Sequence, residues 1–184
     1  MVTNEMRVED YAPSKKLDEG SYVVRALPKY NEDNTIVTCV EDVIDHEPTE
    51  EDFAALEAEY VAKKKRHLLQ AAADYDVSES VNGFIVNGKR IWLDKATRVG
   101  LVNSLNVEKT AGVETTVLWF DDVNYTLPVD TALQILAQVE LYAIRCYNKT
   151  AEHRVKIAAL ATPEEADAFD ITAGYPEQPS FTIE

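Results

Sequence analysis

The chain of 184 residues is poor in several things, and each shortage excludes something. It has six glycines, none of them clustered, so a glycine-rich loop cradling a phosphate is not expected. Neither the P-loop pattern, nor G-x-G-x-x-G, nor G-x-S-x-G occurs. Its two cysteines, Cys39 in a β-like run and Cys146 in a helical one, make no disulfide framework and read as small core residues. No apolar run approaches the eighteen residues of a membrane-spanning helix. The opening Met1-Val2-Thr3-Asn4-Glu5 has neither a basic nor an apolar leader segment, so no signal peptide is expected. Positive charge is scarce: 18 Lys and Arg face 33 Asp and Glu, a formal net charge of −15. A chain without a basic stripe is a poor ligand for nucleic acid or anionic lipid, and neither is expected as a partner.

What is present is an apolar fraction of 46%, ordinary for a globular protein. The acid is unevenly placed. Residues 1–60 hold sixteen acids and five bases, a net of −11, whereas residues 61–184 hold seventeen and thirteen, a net of −4. This asymmetry divides the chain into an acidic N-terminal arm over 1–48, a linking helix over 49–75 and an α+β domain over 76–184.

In the arm, residues 1–20 read as extended with little core. Ser21-Tyr22-Val23-Val24-Arg25-Ala26-Leu27 and Thr35-Ile36-Val37-Thr38-Cys39-Val40 read as a hairpin around Asn31-Glu32-Asp33-Asn34, the first strand stopping at Pro28. Two strands alone are marginal in water, so the arm is expected to need a covering surface from its own chain or another. A helix over about 50–73 follows. Thr49 is its cap, Asp52 a variant of the capping box, and Lys63-Lys64-Lys65-Arg66 a solvated stretch.

The remainder alternates hairpins and helices. Asn87-Gly88 between apolar runs is a strong hairpin signal, because both turn residues need positive φ. Asp94 caps a helix that ends near Gly112; Thr115–Phe120 and Asn124–Leu127 form a second hairpin, turned at Asp121-Asp122. A helix from about 129 to 161, about 45–50 Å long, then carries two apolar stripes. One contains Leu133, Leu136, Val139, Ala143 and Tyr147; the other contains Ile135, Leu141, Tyr142 and Ile144. A helix apolar on two sides must be covered on two sides. One side is expected on the hairpins, and the other on the 50–73 helix or a second protomer. Leu133, Leu136, Val139, Ala143 and Tyr147 are the candidate oligomer interface, and a two-fold homodimer is expected. Thr162-Pro163-Glu164-Glu165 opens a short capped helix, and the chain ends extended.

Residues able to do chemistry are few. His46, His67 and His153 lie in three different elements, none with zinc spacing, and read as surface or cap residues. Asp74-Tyr75-Asp76-Val77-Ser78 starts like a calcium loop, but Glu79 stands where glycine is required and Ile85 where a bidentate glutamate is required. Asn124-Tyr125-Thr126 and Asn148-Lys149-Thr150 match the glycosylation pattern by chance. Asp94 and Arg98, one turn apart at a strand-to-helix junction, could clamp a substrate; a cap with an i, i+4 ion pair accounts for them without a ligand. Trp92, Trp119, Phe120 and Tyr125 are expected in the core. No catalytic residue, metal or cofactor is expected.

The order of these segments has a counterpart. A hairpin over 81–88, Ile91-Trp92-Leu93-Asp94 with Arg98, Val117-Leu118-Trp119-Phe120, a long helix with Tyr142 and Cys146-Tyr147, Thr162-Pro163-Glu164-Glu165 and Asp170-Ile171-Thr172-Ala173-Gly174-Tyr175-Pro176 together resemble an uncharacterised domain family of phage and prophage fibre gene cassettes. Trp92-Leu93-Asp94-Lys95-Ala96-Thr97-Arg98 is similar to proteins of phages of gut anaerobes, the crAss-like phages among them. The resemblance covers roughly 68–184, and many of those relatives have Trp where Tyr175 stands. It implies a non-enzymatic structural protein of a tailed-phage virion, made in the bacterial cytoplasm. That protein would be an oligomeric part of a short head or tail fibre or its base, with the acidic arm meeting other virion or fibre proteins. The alternative it leaves is a fibre-assembly chaperone absent from the finished particle.

Overall fold

The computed structural model describes every residue except Glu19, Asp121 and Glu184. In chain order the elements are β1 (Val2–Arg7), β2 (Ser14–Asp18), β3 (Ser21–Tyr30), β4 (Ile36–Ile44), α1 (Glu50–Asp76), β5 (Phe84–Val86), β6 (Lys89–Ile91), α2 (Lys95–Thr110), β7 (Thr115–Phe120), β8 (Val123–Pro128), α3 (Val129–Ala159), α4 (Pro163–Ala168) and β9 (Ser180–Phe181). The class is α+β, with antiparallel hairpins and a long C-terminal helix. Two compact units emerge, one of residues 1–69 and 156–169, the other of residues 70–155 and 170–184. They differ from the expected parts at 1–48, 49–75 and 76–184 because α1 and α3 each lend one end to the first unit and the other end to the second.

In the first unit the N-terminal segment is more than a two-stranded arm. The sheet has four strands in the order β1-β4-β3-β2. Residues 1–20, expected to be extended with little core of their own, supply both edge strands, while a connection through Val8–Asp10 runs between the edges. That connection is fastened to β3, since Arg25 donates its backbone N–H to the Pro13 carbonyl and its side chain to the Ala12 carbonyl. β1 and β2 are mostly exposed and polar, so no apolar alternation marked them; edge strands are held by backbone bonds instead. β3 also continues past Pro28. Leu27 adopts φ 55°, and the β3–β4 register slips between Ala26 and Lys29, so a bulge absorbs the proline that cannot donate to the ladder.

The covering surface is in the chain itself. Val24, Ala26 and Val40 bury against Leu56 of α1, with Phe53 and Tyr60 packed alongside. The basic run of α1 is a further departure. Lys64 pairs with Asp167 at 3.0 Å and Lys65 donates to the Ala158 carbonyl at 2.9 Å, so two of its four cations fasten α1 to 156–169. The Asp167 carboxylate also accepts from Lys29 and, at 2.6 Å, from the Tyr60 hydroxyl. Burial alone would raise the Asp167 pKa, but these three donors outweigh it and hold the carboxyl well below the usual range. α4 begins as expected, with Thr162 and Glu165 forming a complete capping box after which Pro163 takes the first turn. At α1 the box is half made. The Asp52 carboxylate accepts from the Thr49 N–H at 2.7 Å, and the Thr49 hydroxyl donates to that carboxylate at 2.8 Å rather than accepting from the helix.

In the second unit β5–β6 and β7–β8 pack on α3, whose Ala132, Ile135, Leu136 and Val139 share one core with Phe84, Ile91, Leu118, Phe120 and Leu127. Asn87 and Gly88 take φ 49° and 79°, the left-handed pair that the hairpin signal requires. The Asp121 half of the next turn lies outside the described residues. The C-terminal segment joins this core. β9 pairs parallel to β5, making the order β6-β5-β9, and Asn87 clamps its end: Nδ2 donates to the Ile183 carbonyl at 2.7 Å and Oδ1 accepts from the Ile183 N–H at 2.8 Å. Two residues of strand leave too short a pattern to read from sequence.

Candidate functional site

The site is built on α3 where it meets the junctions flanking β6 and the end of α1, all within the second unit. Leu93-Asp94 leads from β6 into α2. Asp94 accepts from the Thr97 N–H at 2.9 Å and from the Thr97 hydroxyl at 2.7 Å, which with smaller contributions, the Arg98 charge among them, holds its pKa below the ordinary value. Asp94 is therefore the helix cap, as expected. The expected ion pair of Asp94 with Arg98 is not what forms. Arg98 is 6% exposed, and its guanidinium turns across to α3: Nε donates to Glu140 at 2.9 Å, Nη1 donates to the Leu93 carbonyl at 2.6 Å, and the plane lies 5.2 Å from the Trp92 ring centroid. A carboxylate already occupied by its own helix terminus leaves the arginine to pair with a second helix.

Beside Arg98 lies an open cleft of about 180 Å³, lined by Asp76, Trp92, Lys95, Tyr142, Cys146 and others. Asp76 and Tyr142 of this lining also belong to a largely buried polar cluster. The Thr150 hydroxyl meets the Asp76 carboxylate at 2.6 Å and the Tyr175 hydroxyl at 2.7 Å. The Tyr142 hydroxyl donates to the Val81 carbonyl at 2.8 Å. His153, expected at the surface, is 4% exposed; its Nε2 lies 2.9 Å from the Ala173 carbonyl and its ring stacks on Tyr175. These bonds fasten 173–175 to α3 and to the end of α1. Burial pushes the Tyr142 and Tyr175 phenols and the Cys146 thiol upward, so all three stay protonated at neutral pH and none is an activated nucleophile. Among the described residues no group of His, Cys, Asp and Glu could hold a metal ion. The cleft therefore offers hydrogen bonds and a cation on an aromatic face, a recognition or fastening chemistry. Nothing in the sequence signalled this cluster, because Asp76, Thr150, His153 and Tyr175 come from three segments far apart in the chain.

The candidate interface residues divide. Leu136 and Val139 are closed off in the chain's own core, and Leu133 packs against it, so this part of the stripe is not open to a second protomer. Ala143 is half-buried and Tyr147 is 66% exposed. The apolar side of α3 that remains exposed holds Leu141, Ile144 and Val155. The aromatics divide too. In β7, Thr116, Leu118 and Phe120 point inward, leaving Val117 and Trp119 on the outer face; Trp119 is 61% exposed and Trp92 39%, contrary to the expected burial of both. Phe120 is fully buried and Tyr125 packs on it. His46 sits exposed between Asp45 and Asp52, which raise its pKa, and His67 is exposed. No family model, curated protein or solved structure matches this chain.

Proposed function

We propose that this chain is a non-enzymatic structural protein of a tailed bacteriophage virion, an oligomeric component of a short head or tail fibre or of its attachment base. The observation that carries the reading is the second apolar face of α3, where Leu141 and Ile144 stand 56% and 54% exposed on a helix whose opposite face is fully used by its own core. Such a face costs solubility unless a protein covers it. The likeness of 68–184 to fibre-cassette domains supplies the setting. The polar groups at the cleft are engaged within the chain, Tyr142 with the Val81 carbonyl and Arg98 in fastening α2 to α3. In this reading the protein is a homodimer made in the host cytoplasm and carried in the particle.

The acidic N-terminal region is the contact with a neighbouring virion or fibre protein. Glu47, Glu50, Glu51 and Glu57 are exposed, so the complementary surface is neutral or basic and the contact weakens as salt rises. Mass spectrometry of purified virions tests the role. The chain should be found in the particle at a stoichiometry comparable with its fibre proteins. Its absence from particles while abundant in the infected cell would replace this reading with the assembly chaperone.

A further inference from the structure

The exposed face of α3 has a finer pattern than apolarity alone. Ala137, Leu141, Ile144, Asn148, Ala151 and Val155 follow one another at alternating steps of four and three residues, and all six are exposed. That is the seam of a heptad repeat, with Leu141, Asn148 and Val155 at a positions and Ala137, Ile144 and Ala151 at d positions. The buried residues Val139, Tyr142, Cys146, Thr150 and His153 lie on the opposite side at 100° per residue. The two faces are thus separate, one for the chain's own core and one for something else.

We infer that this seam pairs with the same seam of a second copy as a short, parallel, two-stranded coiled coil. The inference names the surface of the homodimer proposed above and rests on that dimer, but not on the virion role. Three observations select a second copy in this orientation. In parallel register Asn148 meets Asn148 of the other chain across the two-fold axis, and each amide satisfies the other; in antiparallel register it would face Ile144 or Ala151 and find no partner. The flanking positions are complementary in the same register: Glu140 precedes the Leu141 layer, and Arg145, five residues on, is the residue it meets on the facing helix. Glu140 is half exposed and holds Arg98 through Oε2, so the carboxylate has capacity for a second cation. Finally, the helix is already formed and packed on its far side through Val139, Tyr142, Cys146, Thr150 and His153, so pairing does not have to supply the cost of ordering it. The seam spans about 27 Å from 137 to 155, under three heptads, over which the drift of a straight helix from a 3.5-residue repeat stays small. Leu at a with Ile at d would by itself favour more strands; the single Asn layer and two alanine layers set the number at two.

The test uses the full chain. Sedimentation over a concentration series reaching the millimolar range should show a monomer–dimer equilibrium, and Leu141→Asp or Ile144→Asp should weaken it by at least about tenfold, the effect of two like charges facing each other in a seam. Both positions are exposed, and an unchanged circular dichroism spectrum shows that the fold is retained. Asn148→Cys should form an interchain disulfide under mild oxidation with oxidised glutathione, while the wild type, whose Cys39 and Cys146 are 2% and 3% exposed, should not. A monomer at every concentration overturns both the dimer and the seam. A dimer indifferent to both aspartate variants overturns the seam and leaves the dimer standing. A dimer sensitive to them in which Asn148→Cys fails to cross-link overturns the parallel pairing, and a trimer or tetramer overturns the two-stranded one.

Discussion

Arg98 is the residue on which the geometry of the second unit can be tested most sharply, by replacing it with methionine. The stem keeps its volume while every donor is lost. Three interactions disappear, and they are unequal. The bond from Nη1 to the Leu93 carbonyl, at 2.6 Å, is charge-assisted and shielded from water, and its loss costs about 1.5–3 kcal/mol. The approach of the guanidinium to the Trp92 face, at 5.2 Å, is worth about 0.5–1 kcal/mol. The bond to Glu140, at 2.9 Å, looks the strongest but is the weakest, because that carboxylate is 50% exposed and regains water when the arginine leaves; it adds under about 1 kcal/mol. The total is about 2–5 kcal/mol, a shift of the urea midpoint by about 1–2.5 M at an m-value of about 2 kcal/mol/M. Glu140→Gln, which takes the charge from the last interaction alone and keeps an acceptor for Nε, should cost under about 1 kcal/mol. Both tryptophans of the chain, Trp92 and Trp119, belong to the second unit, so their fluorescence followed at sub-micromolar protein reports that unit alone. If Glu140→Gln destabilises as much as Arg98→Met, the ion pair rather than the carbonyl bond holds α2, and the ranking is wrong. If Arg98→Met leaves the midpoint unchanged, the arginine fastens nothing.

Phe120→Ala, at a fully buried side chain edge-on to Phe84 with centroids 5.8 Å apart, should cost about 3–5 kcal/mol, while Trp119→Ala one residue away should stay within about 0.5 kcal/mol; a urea titration of the pair followed by circular dichroism decides whether β7 faces the core as described. Asp167 has its pKa lowered on folding, so it contributes stability that is complete above the ordinary carboxylate range and is lost as pH falls through the folded value; Asp167→Asn should destabilise at neutral pH and flatten the acid limb of the stability curve, and an unchanged limb would refute the role of Lys29, Tyr60 and Lys64. Asn87→Ala removes both bonds to Ile183 and places an alanine at φ 49°, so the amides of β9 should exchange hydrogen faster while those of α3 keep their protection.

The readable parts of the chain are those in which one local signal has one consequence. Asn87-Gly88 demands two left-handed residues, Thr162-Pro163-Glu164-Glu165 closes its capping box within four residues, and Asp94 caps α2. The unreadable parts are those in which a partner far away in sequence does the stabilising. β1 and β2 are exposed, polar edge strands identified only by β4 and β3, and β9 is two residues long and identified only by β5. Lys64 and Lys65 resemble any solvated basic run until Asp167 and Ala158 are known to face them. Trp119 and Phe120 are adjacent aromatics of which only one can point inward, and the composition of a strand does not say which until its register on β8 is fixed.

α3 shows why a correct periodicity can still yield the wrong interface. A helix with one apolar stripe assigns its own buried face, since only that face can go inward. α3 has two stripes, and at 3.6 residues per turn apolar positions from one grade into the other: Tyr147 can be counted with Val139 and Ala143, or with Ile144 and Ala151. What separates them is the repeat length. The buried set, containing Ala132, Leu136, Val139, Cys146, Thr150 and His153, is broad and admits Thr and His because a hydrogen-bonding segment packs on it. The exposed set is narrow and holds strictly to alternating steps of four and three, as a seam between two like helices requires and a surface packed on hairpins does not. A charge placed on Leu141 should therefore change the state of association without changing the fold, whereas the same charge on Val139, 0% exposed, should unfold the second unit. The two faces are distinguished by which property fails, and an α3 on which both substitutions unfolded the protein would have one face, not two.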